Sequence, residues 1–140
     1  MRYDPLIVQP MRDELTRLGF EQLGTPAEVD RVLAEEGPVL VVVNSVCGCA
    51  AGIARPGIAL SLAHPSAPQR RATVFAGQDL DATERARSYF AGQPPSSPQV
   101  AVVSRGRLLF LLQRWQIEGR TAEQVADALR AGYEGLPAVA

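Results

Sequence analysis

Apolar positions change rhythm repeatedly along the chain, and each change marks an element. Met11, Leu15 and Leu18 fall on one face of a helix, which Gly19 closes. Thr25-Pro26-Ala27-Glu28 is a helix start: Thr25 caps, Pro26 suits the first helical position, and Glu28 completes a capping box. Val29, Val32 and Leu33 form the inward stripe of that helix, and Gly37-Pro38 stops it. Val39 to Val43 is an unbroken, largely β-branched run, the pattern of a strand buried on both faces. A helix is predicted after Cys47, running to Leu62, with a kink at Pro56. Ala72 to Ala76 is a second strand. Asp79 is read as the cap of a helix that runs to Ala91, with Gly92 beyond its end. Gln93-Pro94-Pro95-Ser96-Ser97-Pro98 is a stiff loop. Gln99–Val103 and Leu108–Leu112 form a hairpin around Arg105-Gly106. Thr121-Ala122-Glu123-Gln124 is a second capping box, opening a helix with Val125 and Leu129 inward and its end near Gly132.

Strand, helix, strand implies a right-handed parallel crossover. A βαβ unit followed by an antiparallel hairpin and a closing helix is the layout of the thioredoxin fold. The expected class is therefore α/β, with a central mixed four-stranded sheet flanked by helices. The expected organisation is one domain over 1–140, with N-terminal helices over 1–37 and the thioredoxin core over 38–132.

Composition narrows the function. A length of 140 residues fits one domain with a hydrophobic core, and 46% hydrophobic with 21% charged residues is ordinary for a globular protein. A net charge of -1 carries no electrostatic footprint for nucleic acid or an anionic membrane. The longest apolar run is too short to span a bilayer, and Met1-Arg2-Tyr3-Asp4-Pro5 lacks a signal-peptide layout. The expected location is cytoplasmic. In a reducing compartment a cysteine pair is more often catalytic or metal-binding than structural.

The chain has two cysteines, Cys47 and Cys49, separated by Gly48. They lie where the first strand runs into a predicted helix. Unpaired backbone N–H groups and the helix dipole stabilise a thiolate there, and the thiolate is the species that attacks disulfides. Three other readings compete. A structural bridge would close a loop of a single residue, so its entropic gain is small, and side chains at i and i+2 diverge on a helix. A metal site needs about four ligands. The chain adds one histidine, His64, which reads as a solvated helix-end residue, so a dimer would have to pool two cysteine pairs around zinc or an iron–sulfur cluster. Two inert buried thiols are the third reading; the glycine and the helix start argue against full burial.

Asn44-Ser45-Val46-Cys47-Gly48-Cys49-Ala50-Ala51-Gly52 with Ala54-Arg55-Pro56 resembles the bacilliredoxin family. The resemblance continues through Thr73-Val74-Phe75-Ala76-Gly77-Gln78-Asp79, Asp81-Ala82-Thr83, Tyr89-Phe90, Pro94-Pro95-Ser96-Ser97-Pro98 and Ile117-Glu118-Gly119, and includes Pro10-Met11-Arg12 and Glu14-Leu15. It implies a thioredoxin-like fold and a thiol–disulfide oxidoreductase that removes bacillithiol from mixed disulfides on client proteins. It also implies disulfide isomerase activity as an alternative. Cys47 would be the nucleophile and Cys49 the resolving thiol, with Gly48 leaving the approach open. No bound cofactor is expected; bacillithiol is the thiol co-substrate. The expected partners are S-bacillithiolated clients, the small thiol and a disulfide reductase, with the protein a monomer or weak homodimer.

Supporting positions follow from the same match. Ser97-Pro98 corresponds to the loop where thioredoxin-like proteins carry a cis-proline facing the dithiol, so Pro98 is expected to be cis. Asn44 and Ser45 are candidate hydrogen-bond donors to the Cys47 thiolate, with turn formation as their ordinary role. Arg55 is a candidate supporter of the thiolate, against a merely solvated helix residue. Glu118 is a candidate proton handler, against a surface salt bridge. One position departs from the pattern: relatives often have a histidine after the arginine matching Arg114, and here it is Trp115. Core packing is the default expectation for that tryptophan, and covering the edge of the site is the alternative.

Overall fold

The computed structural model describes residues 2–137. Its helices are α1 (Pro5–Thr16), α2 (Pro26–Leu33), α3 (Arg55–Ser61), α4 (Leu80–Arg87) and α5 (Ala122–Glu134). Its strands are β1 (Glu21–Gln22), β2 (Val39–Asn44), β3 (Arg70–Phe75), β4 (Gln99–Ser104) and β5 (Arg107–Leu112). They form one sheet in the order β1-β3-β2-β4-β5. β2 and β3 run parallel, while β4 lies antiparallel to both β2 and β5. The mixed sheet and its βαβ-then-hairpin order are as the apolar pattern predicts.

The sheet has five strands rather than four. β1 contributes two residues, Glu21↔Ala72 and Gln22↔Thr73, to the free edge of β3. A two-residue strand carries no alternation to read, so the sequence pattern passes over it. It lies within the first 37 residues, so that segment belongs to the sheet as well as to the helical cover.

Both faces of the sheet are packed. Val39, Val41 and Val43 face the cluster built by α2 and α4, with Leu33, Ala82 and Phe90. Leu40 and Val42 face the other, with Ile58 of α3 and Val125, Leu129 and Tyr133 of α5. This explains why β2 is apolar at every position from Val39 to Val43: a central strand buried on both faces has no polar side to show. The β4–β5 turn uses Arg105 and Gly106, both at positive φ (51° and 73°), which matches the right-handed twist of a two-residue hairpin.

Several boundaries move for physical reasons. The capping boxes at Thr25 and Thr121 form as read, Thr25 accepting from the Glu28 N–H and Thr121 from the Gln124 N–H. α1 starts earlier than its apolar face indicates, because Asp4 caps it by accepting from the Leu6 N–H. α5 runs past Gly132 to Glu134. Asp79 precedes α4 but makes no side-chain cap. Its carboxylate is engaged by Arg12 at 2.8 Å through both oxygens, and by the Phe75 N–H. The segment after Cys49 is not a single kinked α-helix. Ala50–Ala54 forms a π-helical turn that runs on into α3 at Arg55, so the wider π geometry lies immediately before Pro56, the residue with no N–H to donate. Gly57 lets α3 approach α5: a Cβ there would stand 2.9 Å from the Ala122 carbonyl oxygen and from Val125 Cγ1. His64 is half-buried rather than solvated. Its Nδ1 accepts from the Ser66 N–H, its Nε2 lies 3.1 Å from Glu134 Oε1, and its ring packs near Tyr133.

Candidate active site

β2 ends at Asn44, and the chain turns through Ser45 and Val46 into Cys47-Gly48-Cys49 before entering the π-helical turn. The two sulfur atoms are in direct contact, 2.7 Å apart, and both cysteines are free thiols. Both cysteines are partly accessible, and Gly48 is exposed with open space where a side chain would stand. An incoming disulfide therefore meets no obstruction between the sulfurs. The π-helical turn adds about one residue to the turn, a distortion frequent at functional sites.

The two thiols differ. Burial opposes ionisation of Cys47, but hydrogen bonds from Cys49, the Ser45 hydroxyl and the Ala50 N–H, together with the charge of Arg114, outweigh it and hold its pKa below the ordinary thiol value. Cys49 moves the other way. Burial, its hydrogen bond to Cys47 and the negative charge that Cys47 develops raise its pKa, with Glu118 adding to the rise and Arg114 opposing it. Cys47 is thus the sulfur that ionises first and Cys49 the one that keeps its proton. That asymmetry is the division a nucleophile and a resolving thiol require.

Beneath the turn, Arg55 is 3% exposed, so it is not a solvated helix residue. Its Nη1 donates to Asn44 Oδ1 and to the Ser45 carbonyl, both at 2.9 Å, and its Nε lies 3.1 Å from a carboxylate oxygen of Glu14 in α1. Asn44 accepts from the Ser45 N–H and donates to the Met11 carbonyl, so it builds the turn and makes no bond to Cys47. Ser45 holds the turn as well, its Oγ accepting from the Cys47 N–H at 3.3 Å, and its hydroxyl contributes to lowering the Cys47 pKa.

The facing loop carries a cis Ser97-Pro98 peptide bond. Pro98 is buried and leads into Gln99, whose strand pairs with β2 at Val43↔Gln99, so the loop lies at the same end of the sheet as the dithiol. Two buried glutamines and a half-buried arginine hold it. Arg87 donates to Gln99 Oε1 and to the Ser96 carbonyl; Gln99 donates to Gln113 Oε1; Gln113 donates to the Pro94 carbonyl.

Arg114, at the start of a short 3-10 turn after β5, places its charge on both thiols. Its Nε donates to Glu118 Oε1 at 2.8 Å and its Nη1 to the Ser97 carbonyl at 3.2 Å. Glu118 is thus the exposed partner of that arginine. Trp115 is 58% exposed on the same turn, so it packs neither in the core nor in place of a buried histidine. Arg114, Gln99 and Gln113 are not apparent from sequence spacing. The one signal the glutamines leave is a polar residue at one end of each of two apolar strands, Gln99 opening β4 and Gln113 following β5.

Among the described residues, no group of three or more His, Cys, Asp and Glu side chains is placed to hold a metal ion. No helix there is long and apolar enough to cross a membrane.

Comparison with known proteins bears on the same site. The family model described as disulphide isomerase matches residues 3–136. A bacilliredoxin from Koribacter versatilis is 50% identical over 133 residues, covering 94% of this chain and 92% of its own. A bacilliredoxin from Salinibacter ruber is 51% identical over 137 residues, 96% of this chain and 81% of its own. Mitochondrial thioredoxin 3 from Saccharomyces cerevisiae superposes with a TM-score of 0.57 at 14% identity, over 85% of this chain and 97% of its own, which shows the fold. A family model spanning almost the whole chain, relatives near half identity and a thioredoxin-fold dithiol agree: the chain belongs to the bacilliredoxin family and is a thiol–disulfide oxidoreductase.

Proposed function

We propose that the protein removes bacillithiol from mixed disulfides on client proteins in the cytoplasm. The reading is carried by one observation, the opposed pKa shifts of Cys47 and Cys49 at an open Cys-Gly-Cys turn. The Cys47 thiolate attacks the bacillithiol sulfur of the mixed disulfide. A Cys47–bacillithiol disulfide forms and the client leaves as a thiolate, which takes a proton from solvent. A second bacillithiol then attacks the bound bacillithiol sulfur, frees the Cys47 thiolate and leaves as bacillithiol disulfide; in the other branch the Cys49 thiolate attacks Cys47 Sγ, expels bacillithiol and leaves a Cys47–Cys49 disulfide. Pro98 shapes the groove in which the client's disulfide lies, while Asn44, Ser45 and Arg55 hold the turn. The protein binds no cofactor of its own, works as a monomer or weak homodimer, and is returned to its dithiol by the small thiol or a disulfide reductase.

A client carrying one bacillithiol on a single cysteine tests this. With Cys49→Ser, intact mass should show one bacillithiol moving from client to Cys47. Peptide mapping that finds no adduct on Cys47, while the client stays modified, contradicts the reading. Disulfide isomerisation is the second reading, favoured by the description of the matched family model. It requires scrambled protein disulfides to be reshuffled with no small thiol added. The carrier alternative requires two copies to pool their cysteine pairs around a metal or cluster.

A further inference from the structure

Arg114 differs from the other arginines near the dithiol in having a fixed base and a free head. Its base is set by the loop before the cis peptide. The Ser96 hydroxyl donates to Gln113 Oε1 at 2.6 Å and accepts the Arg114 backbone N–H at 3.1 Å. Gln113 is in turn held by Gln99 and by the Pro94 carbonyl. The guanidinium then leans on the Ser97 carbonyl and on Glu118, which engage two of its five N–H donors. Its side chain remains 40% exposed. A preorganised, accessible guanidinium bonded to the cis-peptide loop, at the same end of the sheet as the dithiol, is suited to a carboxylate, which it can meet with two parallel N–H bonds. Glu118, 52% exposed on its other side, is the counter-charge.

We propose that Arg114 is a specificity-determining residue that selects small disulfides carrying a carboxylate near the reacting sulfur, and that Glu118 limits the strength of that selection. The proposal deepens the reading above and rests on Cys47 attacking low-molecular-weight disulfides. With a symmetric disulfide RSSR, the Cys47 thiolate forms Cys47–S–S–R and expels RS⁻, which is protonated by water. Cys49 loses its proton to solvent, attacks Cys47 Sγ and expels the second RS⁻. The dithiol gives up two electrons and the small disulfide takes two. A carboxylate on R lies near Arg114 in both steps. Opposite unit charges about 6 Å apart favour association by roughly threefold in a water-like dielectric and roughly a hundredfold at an effective dielectric near 20. Exposure and Glu118 place the expected selection near the lower end, about three- to tenfold.

Three disulfides of similar size test it: 3,3′-dithiodipropionate (anionic), 2-hydroxyethyl disulfide (neutral) and cystamine (cationic). Each is reacted with the reduced protein at low salt and followed by quenched-flow intact mass. Rates are divided by those of a neutral free thiol, N-acetylcysteamine, to remove intrinsic reactivity. The wild type should favour the anionic over the cationic disulfide by about three- to tenfold. Arg114→Gln should bring that ratio to one or below, since Glu118 then stands unpaired, Glu118→Gln should enlarge it, and about 0.5 M salt should shrink it in the wild type. If Arg114→Gln slows all three disulfides by one common factor, Arg114 acts only through the Cys47 thiolate and the proposal is overturned. An unchanged ratio overturns it equally. None of the probes is bacillithiol, so a ratio that behaves as expected stands even if bacillithiol is not the partner. No exchange with any probe removes the thiol-exchange reading and the proposal together.

Discussion

The two ends of the sheet both carry arginines and use them differently. Where β2 begins, Arg70 donates to the Val32, Glu36 and Gly37 carbonyls and pairs with Glu35, and Arg71 donates to the Leu18 and Pro68 carbonyls. Those guanidiniums are staples between loops. Where β2 ends, Arg55 is a staple of the same kind, buried beneath the redox turn, whereas Arg114 touches one loop carbonyl and one exposed carboxylate. Residue type therefore does not separate support from chemistry; the partners and the place in the fold do. An arginine tied to backbone carbonyls of neighbouring loops holds shape, and an exposed one paired with a surface carboxylate at the dithiol end of the sheet supplies charge.

The sharpest contrast is at the sulfurs. Cys47→Ser should abolish exchange with a small disulfide, while Cys49→Ser should still form the first adduct; trapping by intact mass reads both. A Cys47→Ser protein that still forms an adduct would break the assignment of roles. Next in size, Arg55→Met should lower unfolding free energy by about 2–4 kcal/mol, because it strips a buried donor from the Ser45 carbonyl and Asn44. Arg70→Met, at the other end, should cost about 1–2 kcal/mol in urea unfolding and leave the exchange rate unchanged. A slowed exchange in Arg70→Met would erase the distinction between the two ends. Smaller still, Ser45→Ala removes one donor to the thiolate, worth about 1 kcal/mol, and should cut the reactive fraction of Cys47 near neutral pH roughly fivefold. The melting profile carries the same sign. The Cys47 pKa is depressed in the folded state, so its ionisation favours folding above the unfolded thiol pKa, and that contribution is lost as pH falls through the lower folded value.

Much of this is legible in the sequence alone. A short, largely β-branched apolar run suits a central strand packed on both faces, and Thr25 and Thr121 announce their helices through side chains three residues apart. The dithiol was visible because its partners are neighbours in sequence. What escaped depends on partners far apart in the chain. Asp79 looks like a cap until Arg12, 67 residues away, engages its carboxylate. Arg55 looks solvated until Glu14 and the β2 end close over it. Asn44 sits near Cys47 in sequence yet turns toward Met11. Gln99 and Gln113 meet because β4 and β5 pair, and no local spacing encodes that meeting. β1 exists because β3 offers it an edge.

The central claim is that Cys47 is the sulfur poised to react, and the pH dependence of its alkylation tests that most directly. The reduced protein is treated with limiting iodoacetamide across pH 5 to 10 and mapped by peptide mass. The account predicts that Cys47 is labelled first, with a midpoint below the ordinary thiol value of about 8.5, and that Cys49 follows only at higher pH. Labelling of Cys49 ahead of Cys47, or a Cys47 midpoint at or above that of a free thiol, would contradict it.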